Sequence, residues 1–246
     1  MNTRTPGADR VARDVPAVRA VLFDLDGTLI DSEQHTEEAV EAVVARHGIA
    51  GFALPATETH GRTWESVAKE IRARTKLTVD VAELAAAMLE HWVAGTAHVI
   101  PIPGAPEAIR AAAASGLRLG VVSSSPRSVI DSFLDKLGVS DLIEARARIG
   151  AEAVRATKPD PHGFLLAARA LAVDPAECLV FEDSRAGLLA AQAAGMRCIF
   201  ITCRATDVAG NIGLATAAFE DYRALPPQFW QRLAAGDGDL RNPATA

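Results

Sequence analysis

The sequence is poor in several residue types, and each shortage excludes a class of protein. Aromatic residues make up 5% of the 246 positions, and tyrosine occurs once. The three cysteines are odd in number and show no metal-ligand spacing, so they predict neither a disulfide framework nor a metal site. No apolar run approaches the roughly 20 residues that cross a bilayer, and no apolar signal segment opens the chain. We therefore expect a cytoplasmic protein with no membrane partner.

Positive charge is also scarce. The chain has 25 Lys and Arg against 31 Asp and Glu, which gives a net charge of −6 that is spread without blocks. Binding to a nucleic-acid backbone needs a concentrated cationic face, so we expect no nucleic-acid partner. A small anion remains a possible ligand, because a local pocket can oppose the sign of the whole chain.

Short apolar runs alternate with alanine-rich stretches over most of the chain. The runs at 20–24, 117–123, 178–183 and 197–202 predict strands that are covered on both faces. The stretches APEAIRAAAASG, SVIDSFLDKLG, HGFLLAARALAV and RAGLLAAQAAG predict helices. Strand alternating with helix predicts an α/β fold with a doubly wound parallel sheet, whose active site lies beyond the carboxyl ends of the strands.

One long segment interrupts this alternation. Residues 32–98 contain three helical patterns, SEQHTEEAVEAVVARHG, TWESVAKEIRART and VAELAAAMLEHWVAG, and no convincing strand. The segment is too long for a loop, so we predict a helical domain inserted after the first strand. Ser32 followed by acids suggests a capping box at its first helix. Trp64, Met88 and Trp92 are expected to form its small core.

These boundaries divide the chain into three parts. We predict an α/β core formed by residues 19–31 and 99–246, the inserted helical domain at 32–98, and a flexible lead-in at 1–18.

Polar residues follow the predicted strands at the points where an apolar core has no use for them. Because the carboxyl ends of parallel strands meet at one edge of a sheet, we expect these residues to share one site. They are Asp24, Asp26, Ser123, Lys158, Glu182 and Asp183.

Carboxylates gathered in this way repel each other unless a cation relieves the charge. Mg²⁺ is suited because it takes oxygen ligands and keeps several waters. With the charge screened, Asp24 can attack a phosphorus atom and form an aspartyl-phosphate, while Asp26 relays the proton. Lys158 would neutralise the phosphoryl oxygens and Ser123 would position them. Gly27 would let the backbone approach the phosphate closely.

Four segments together carry a family resemblance. DLDGTLIDSE, VVSSSPR, KPDPHGF and VFEDSRAG, in this order, resemble the four motifs of the haloacid dehalogenase superfamily of phosphotransferases, and the resemblance extends from about residue 20 to 223. The position of the inserted helices is similar to that of the family's C1 cap, which opens for substrate and closes to exclude water.

The resemblance also implies roles for individual residues. It implies Mg²⁺ held by the side chain of Asp24, the backbone carbonyl of Asp26 and Asp183, with Glu182 contributing directly or through water. Members that process haloacids lack an acid at the position of Asp26, so we do not expect dehalogenation.

Residues that would face the substrate are indicated in two places. HGRTWESVAKEI resembles a stretch of the sugar-phosphate and glycerol-phosphate phosphatases, which implies that Arg62 meets an anionic group of the substrate. Arg127 is expected to add positive charge at the pocket edge. Ser124 is the alternative to Ser123 for the phosphate contact, because a run of serines blurs the register by one residue.

We therefore predict a monomeric, Mg²⁺-dependent phosphomonoesterase that acts on a small phosphorylated sugar or polyol through an aspartyl-phosphate. One alternative is a phosphosugar mutase such as β-phosphoglucomutase, in which a cap-hinge histidine assists transfer. His35 lies one position short of the place expected for that histidine. The other alternative is a non-catalytic sensor of a phosphorylated ligand, but binding alone does not need a nucleophile.

Overall fold

The computed structural model describes residues 16–95, 100–237 and 240. Within these residues the strands are β1 (Ala20–Phe23), β2 (Ile30–Asp31), β3 (Ile100–Pro101), β4 (Arg118–Val122), β5 (Arg148–Ile149), β6 (Cys178–Glu182), β7 (Arg197–Ile201) and β8 (Ala217–Phe219). Six of them form one sheet in the order β5-β4-β1-β6-β7-β8, and every neighbouring pair runs parallel. The remaining two, β2 and β3, form an antiparallel ribbon.

Helices pack on both faces of the parallel sheet. The helices are α1 (Glu33–Arg46), α2 (Trp64–Arg74), α3 (Val81–Gly95), α4 (Ala105–Ala114), α5 (Arg127–Lys136), α6 (His162–Leu171), α7 (Arg185–Ala193), α8 (Val208–Asn211) and α9 (Phe229–Ala234). In the central strand β1, Val21 and Phe23 pack into an apolar cluster with α4, α5 and α9. Ala20 and Leu22 pack into a second cluster with α6 and α7. The strand is therefore apolar at every position, and the predicted doubly wound sheet is confirmed.

The helices α1, α2 and α3 form a unit that we call the helical module (residues 33–95). They share an apolar cluster of their own, to which Val43, Ile71 and Met88 belong. Trp92 was expected in that cluster but belongs to the main core instead. It packs edge-on against Phe133 of α5, with ring centroids 5.6 Å apart, and so joins the module to the main core.

The predicted domain boundaries fall partly outside the part of the chain that the structure describes. The boundary at residue 98 and residues 1–15 of the lead-in lie outside the described residues. The ribbon β2–β3 brings the two ends of the module together, because Asp31 pairs with Ile100. The division into core and inserted domain stays a prediction.

Most elements follow the sequence patterns, and one capping prediction is wrong. Each predicted strand and helix has a counterpart within one or two residues of its expected bounds. Ser32 stands at the N-cap of α1, but its side chain accepts no capping hydrogen bond. Its hydroxyl donates instead to Asp26 Oδ1 at 2.8 Å. Among the described helices, none combines the length and hydrophobicity that a bilayer crossing requires.

Candidate active site

The predicted site residues meet at one edge of the sheet. Strand β1 lies between β4 and β6, and Phe23 pairs with Val121 on one side and Phe181 on the other. The next residues along each strand therefore leave the sheet side by side. This register brings together the side chains of Asp24, Asp26, Ser123, Lys158, Glu182 and Asp183.

A buried ammonium group stands between two carboxylates. Lys158 reaches in from the loop before α6, and its Nζ donates hydrogen bonds to Asp24 Oδ1, to Glu182 Oε1 at 2.5 Å and to the carbonyl of Val122 at 3.1 Å. The side chain of Lys158 is 5% exposed. Burial lowers the pKa of Lys158, but the attraction of Asp24 and Glu182 outweighs burial and raises it above the usual value. Lys158 therefore supplies a fixed positive charge next to Asp24.

Asp26 is held by hydroxyl groups. Its carboxylate accepts hydrogen bonds from Ser32 Oγ at 2.8 Å, Ser125 Oγ at 3.1 Å and Ser123 Oγ at 3.3 Å. Burial raises the pKa of Asp26, and these hydroxyls partly offset that increase because they stabilise the ionised form. A carboxyl group with a raised pKa is suited to give and take a proton near neutral pH.

The carboxylates of Asp24, Glu182 and Asp183 fit a hard cation. Each offers an oxygen, and the three oxygens lie within 4.8 Å of one another. Thr28 orients Asp183 by donating from Oγ1 to Oδ1 at 3.1 Å. Oxygen donors of this kind match the preference of Mg²⁺.

Glu182 is already engaged by the protein on both of its oxygens. Oε1 accepts from Lys158. Oε2 accepts from the backbone N–H groups of Asp183 and Ser184 at 3.0 and 2.9 Å, and from Ser184 Oγ at 2.9 Å. This pattern indicates that Glu182 positions Lys158 and the β6–α7 turn and does not bind a metal ion directly.

The helical module closes a cavity over the strand ends. Asp24, Asp26, Ser124 and Ser125 form its floor, and the module contributes Thr36, Thr59, His60, Gly61, Arg62, Trp64, Val67 and Trp92. The cavity volume is about 30 Å³. This is room for about two water molecules, so the structure represents a closed arrangement.

A glycine lies where the module meets the core. Ser124 Oγ donates to the carbonyl of Gly61 at 2.9 Å. Gly61 has φ +69°, and a Cβ at this position would lie 2.6 Å from Ser184 Oγ. The close approach therefore depends on the absence of a side chain at residue 61.

The predicted substrate-facing residues have different surroundings. Arg62 lines the cavity, where its guanidinium donates to Ser66 Oγ and to the carbonyl of Glu58. Gly27 adopts φ +77° and donates from its N–H to the carbonyl of Ile30 at 2.8 Å, which makes the tight turn expected there.

Arg127 and His35 are held away from the cavity. Arg127 does not line it, because its guanidinium is bound to Asp131 at 2.9 and 3.0 Å and to the carbonyl of Arg148 at 3.0 Å. The geometry gives no support to the expected substrate contact of Arg127. His35 Nδ1 lies 3.2 Å from Glu38 Oε2, and its neighbour Thr36 lines the cavity instead.

Several site residues were not identified from the sequence. Thr28, Ser32 and Ser125 each donate a hydrogen bond to a site carboxylate. Thr28 and Ser32 lie within DLDGTLIDSE and Ser125 within VVSSSPR, so proximity to the motifs was the available signal. The helical pattern predicts Trp92 in the core of the module, and such a pattern does not distinguish a core residue from one in a cavity wall.

Comparison with known proteins places the chain among hydrolases. A family model described as haloacid dehalogenase-like hydrolase matches residues 18–195. Validoxylamine A 7′-phosphate phosphatase of Streptomyces hygroscopicus subsp. limoneus is 37% identical over 188 residues, covering 75% of this chain and 85% of that protein. A phosphoglycolate phosphatase of Yersinia pestis is 31% identical over 191 residues, covering 76% and 82%. The crystal structure of β-phosphoglucomutase from Clostridium difficile superposes with a TM-score of 0.74 at 21% identity, over 89% of this chain and 97% of that one, and shows likeness of fold alone.

Proposed function

Because the chain belongs to the haloacid dehalogenase-like hydrolases and is similar to phosphatases, we propose that it is a Mg²⁺-dependent phosphomonoesterase for a small phosphorylated sugar or polyol. The observation that carries the proposal is the contact of buried Lys158 with Asp24 at the cavity floor. A carboxylate oxygen of Asp183 lies within 4.8 Å of one of Asp24, which is close enough for both to bind one metal ion. Binding alone requires neither a nucleophile nor a proton relay. The presence of a candidate nucleophile, Asp24, and a candidate proton relay, Asp26, therefore favours catalysis over a phosphate-sensing role.

The first half of the reaction transfers the phosphoryl group to Asp24. An oxygen of Asp24 attacks phosphorus, and the bond from phosphorus to the ester oxygen breaks. Asp26 gives its proton to the departing alkoxide, a role that its raised pKa supports. Lys158 neutralises the charge on the phosphoryl oxygens, and the hydroxyls of Ser124 and Ser125 lie at the cavity floor to orient them.

The second half releases phosphate. A water molecule attacks phosphorus, its proton passes to Asp26, and the bond between Asp24 and phosphorus breaks. Free phosphate leaves, and both carboxyl groups return to their starting states.

Asp24, Asp183 and the backbone carbonyl of Asp26 would hold Mg²⁺, with Thr28 orienting Asp183. When bound, the ion would stabilise negative charge on the transferring phosphoryl group. The helical module would act as the cap that admits substrate by opening and excludes bulk water by closing.

Hydrolysis is favoured over phosphosugar transfer. A mutase needs a group near the cap hinge that assists delivery to a sugar hydroxyl. His35 is paired with Glu38, and Thr36 occupies the cavity wall at this point. A threonine hydroxyl is a poor general base at neutral pH, so Thr36 does not replace that histidine and we expect water to be the acceptor.

The direct test is phosphate release from a panel of phosphorylated compounds. Glycerol 3-phosphate, hexose phosphates, phosphoglycolate and p-nitrophenyl phosphate are assayed with Mg²⁺ and with EDTA. We expect activity with Mg²⁺, none with EDTA, and loss of activity in Asp24→Asn. Asp141→Asn, an exposed aspartate outside the cavity, is the matched control. Turnover by Asp24→Asn at the parent rate would overturn the mechanism.

The covalent step has its own readout. After an acid quench during turnover, mass spectrometry of the parent enzyme should find a phosphoryl group on the peptide that contains Asp24. The same peptide from Asp24→Asn should carry none. Turnover without any phosphorylated peptide, in quenches that trap a known aspartyl-phosphate, would exclude the intermediate.

A further inference from the structure

The indole N–H of Trp92 is buried without a hydrogen-bond partner among the described residues. Trp92 is 2% exposed, and its Nε1 is one of the buried side-chain nitrogens for which these residues supply no acceptor. Leaving a buried donor unpaired costs about 1–3 kcal/mol, and native proteins rarely do so. No group of the described residues satisfies this donor, so an oxygen atom of a bound ligand would stabilise it.

Packing holds this indole in one place. Trp92 lies in the last turn of α3 and makes edge-to-face contacts with Trp64, at 6.3 Å between ring centroids, and with Phe133, at 5.6 Å. It also lines the cavity that contains Asp24 and Arg62. A ring that packing holds in the wall of a cavity is preorganised to contact whatever fills that cavity.

We propose that the Trp92 indole N–H donates a hydrogen bond to an oxygen of the substrate's leaving group and so sets specificity. This inference rests on the proposed phosphatase function. An indole N–H is a donor only, so it selects an acceptor such as a hydroxyl, ether, carbonyl or carboxylate oxygen. The donor belongs to the module side of the cavity, whereas the phosphoryl group is assigned to the floor beside Asp24. The preferred substrates are therefore phosphates of oxygen-rich alcohols, and simple alkyl phosphates are disfavoured.

The kinetic test uses a substrate pair that differs in hydroxyl groups. Glycerol 3-phosphate and n-propyl phosphate are compared by kcat/KM, or by inhibition of p-nitrophenyl phosphate hydrolysis where turnover is slow. The parent should prefer glycerol 3-phosphate, and Trp92→Phe should lower that preference about tenfold, since one hydrogen bond to a buried donor is at stake. Trp230→Phe, a buried tryptophan outside the cavity, should leave the preference unchanged.

Two kinetic outcomes would overturn the proposal. A parent enzyme with no preference for glycerol 3-phosphate contradicts the selection of oxygen-rich leaving groups. A Trp92→Phe variant that loses activity on both compounds alike shows that the ring only supports the structure.

A spectroscopic test avoids any change to Trp92. The chain has three tryptophans, so the ¹⁵N–¹H spectrum contains three indole resonances, which Trp64→Phe and Trp230→Phe assign. In Asp24→Asn, glycerol 3-phosphate should shift the Trp92 indole resonance downfield, and inorganic phosphate should not. An unmoved resonance with saturating glycerol 3-phosphate overturns this inference. Full turnover by Asp24→Asn overturns the proposed function instead, so the two failures are distinguishable.

Discussion

Replacing Lys158 by methionine would remove the buried ammonium that separates Asp24 from Glu182. The side chains of these residues are 5%, 8% and 0% exposed, so water does not screen the charges that remain. Removing one partner from a buried ion pair costs about 3–5 kcal/mol because it leaves uncompensated charge. Native domains are stable by only about 5–15 kcal/mol, so Lys158→Met should lose a large part of its free energy of unfolding.

The assay is urea unfolding at pH 7 in EDTA, so that no divalent ion replaces the ammonium. Lys69→Met is the control, because Lys69 is exposed on α2, and its free energy of unfolding should change by less than about 0.5 kcal/mol. The kcat of Lys158→Met should also fall by about 10²–10³, the usual effect of removing one charge-stabilising donor. If Lys158→Met is as stable as Lys69→Met, Asp24 and Glu182 do not carry the buried charge assigned to them.

Three further predictions concern the proton relay, the closure and a surface ion pair. Asp26→Asn should lower kcat on alkyl phosphates by about 10²–10⁴. It should slow phosphoryl transfer from p-nitrophenyl phosphate much less, because nitrophenolate leaves without a proton. Equal losses on the two kinds of substrate in single-turnover assays would argue against acid catalysis by Asp26. Gly61→Ala should lower kcat/KM about tenfold, since its Cβ would lie 2.6 Å from Ser184 Oγ of the core. Gly48→Ala is the control, because Gly48 also has a positive φ, +85°, but has nothing within 4 Å of its Cβ position. It should therefore introduce the same backbone strain without the loss of kcat/KM. Hydrogen bonds from Arg118 at 2.8 and 2.9 Å lower the pKa of Glu144, so this pair contributes stability above the ordinary pKa of a glutamate and loses it as pH falls through the lowered value. With both side chains about one-third exposed, Glu144→Gln should cost at most about 1 kcal/mol at pH 7 by urea unfolding, and the cost should fall as the pH is lowered; a cost that stays constant as the pH is lowered would contradict this reasoning.

The sequence predicts the long elements of the fold and not the short ones. Strands β1, β4, β6 and β7 have four or five residues, most of them apolar, between turn signals, which is enough for a pattern to be recognised. Strands β5 and β8 have two and three residues. Such short segments pair because a neighbouring strand already presents its backbone groups. Their position therefore depends on the tertiary structure and cannot be read from the local sequence.

The site residues also divide into those that the sequence predicts and those that depend on the packing of the folded chain. Asp24 and Asp183 are predictable because they follow recognisable strands, and the parallel register brings them together. Arg127 shows where such reasoning ends, because Asp131 one helical turn away captures its guanidinium. Sequence position placed Arg127 near the pocket, but the choice between a substrate and an internal carboxylate depends on side-chain packing.

Ser123, Ser124 and Ser125 show how a register is resolved only in three dimensions. Ser123 ends the apolar run as predicted, and its hydroxyl faces Asp26. Ser124 and Ser125 are the two that line the cavity, but their hydroxyls donate to Gly61 and Asp26, so either can donate to a phosphoryl oxygen only after it leaves that acceptor. Three adjacent hydroxyls are equivalent in the sequence, and the turn between β4 and α5 gives each a different direction.

The size of the cavity places a requirement on turnover. A volume of about 30 Å³ is an order of magnitude below the several hundred Å³ of ligand pockets, so a sugar phosphate cannot enter the closed arrangement. We therefore expect the contact between Ser124 and Gly61, which joins the module to the core, to break when substrate binds. After the alcohol departs, only one water is needed to hydrolyse the aspartyl-phosphate. Opening is thus required by the size of the substrate, and closure by the need to keep bulk water from Lys158 and Asp24, whose charges act most strongly when desolvated.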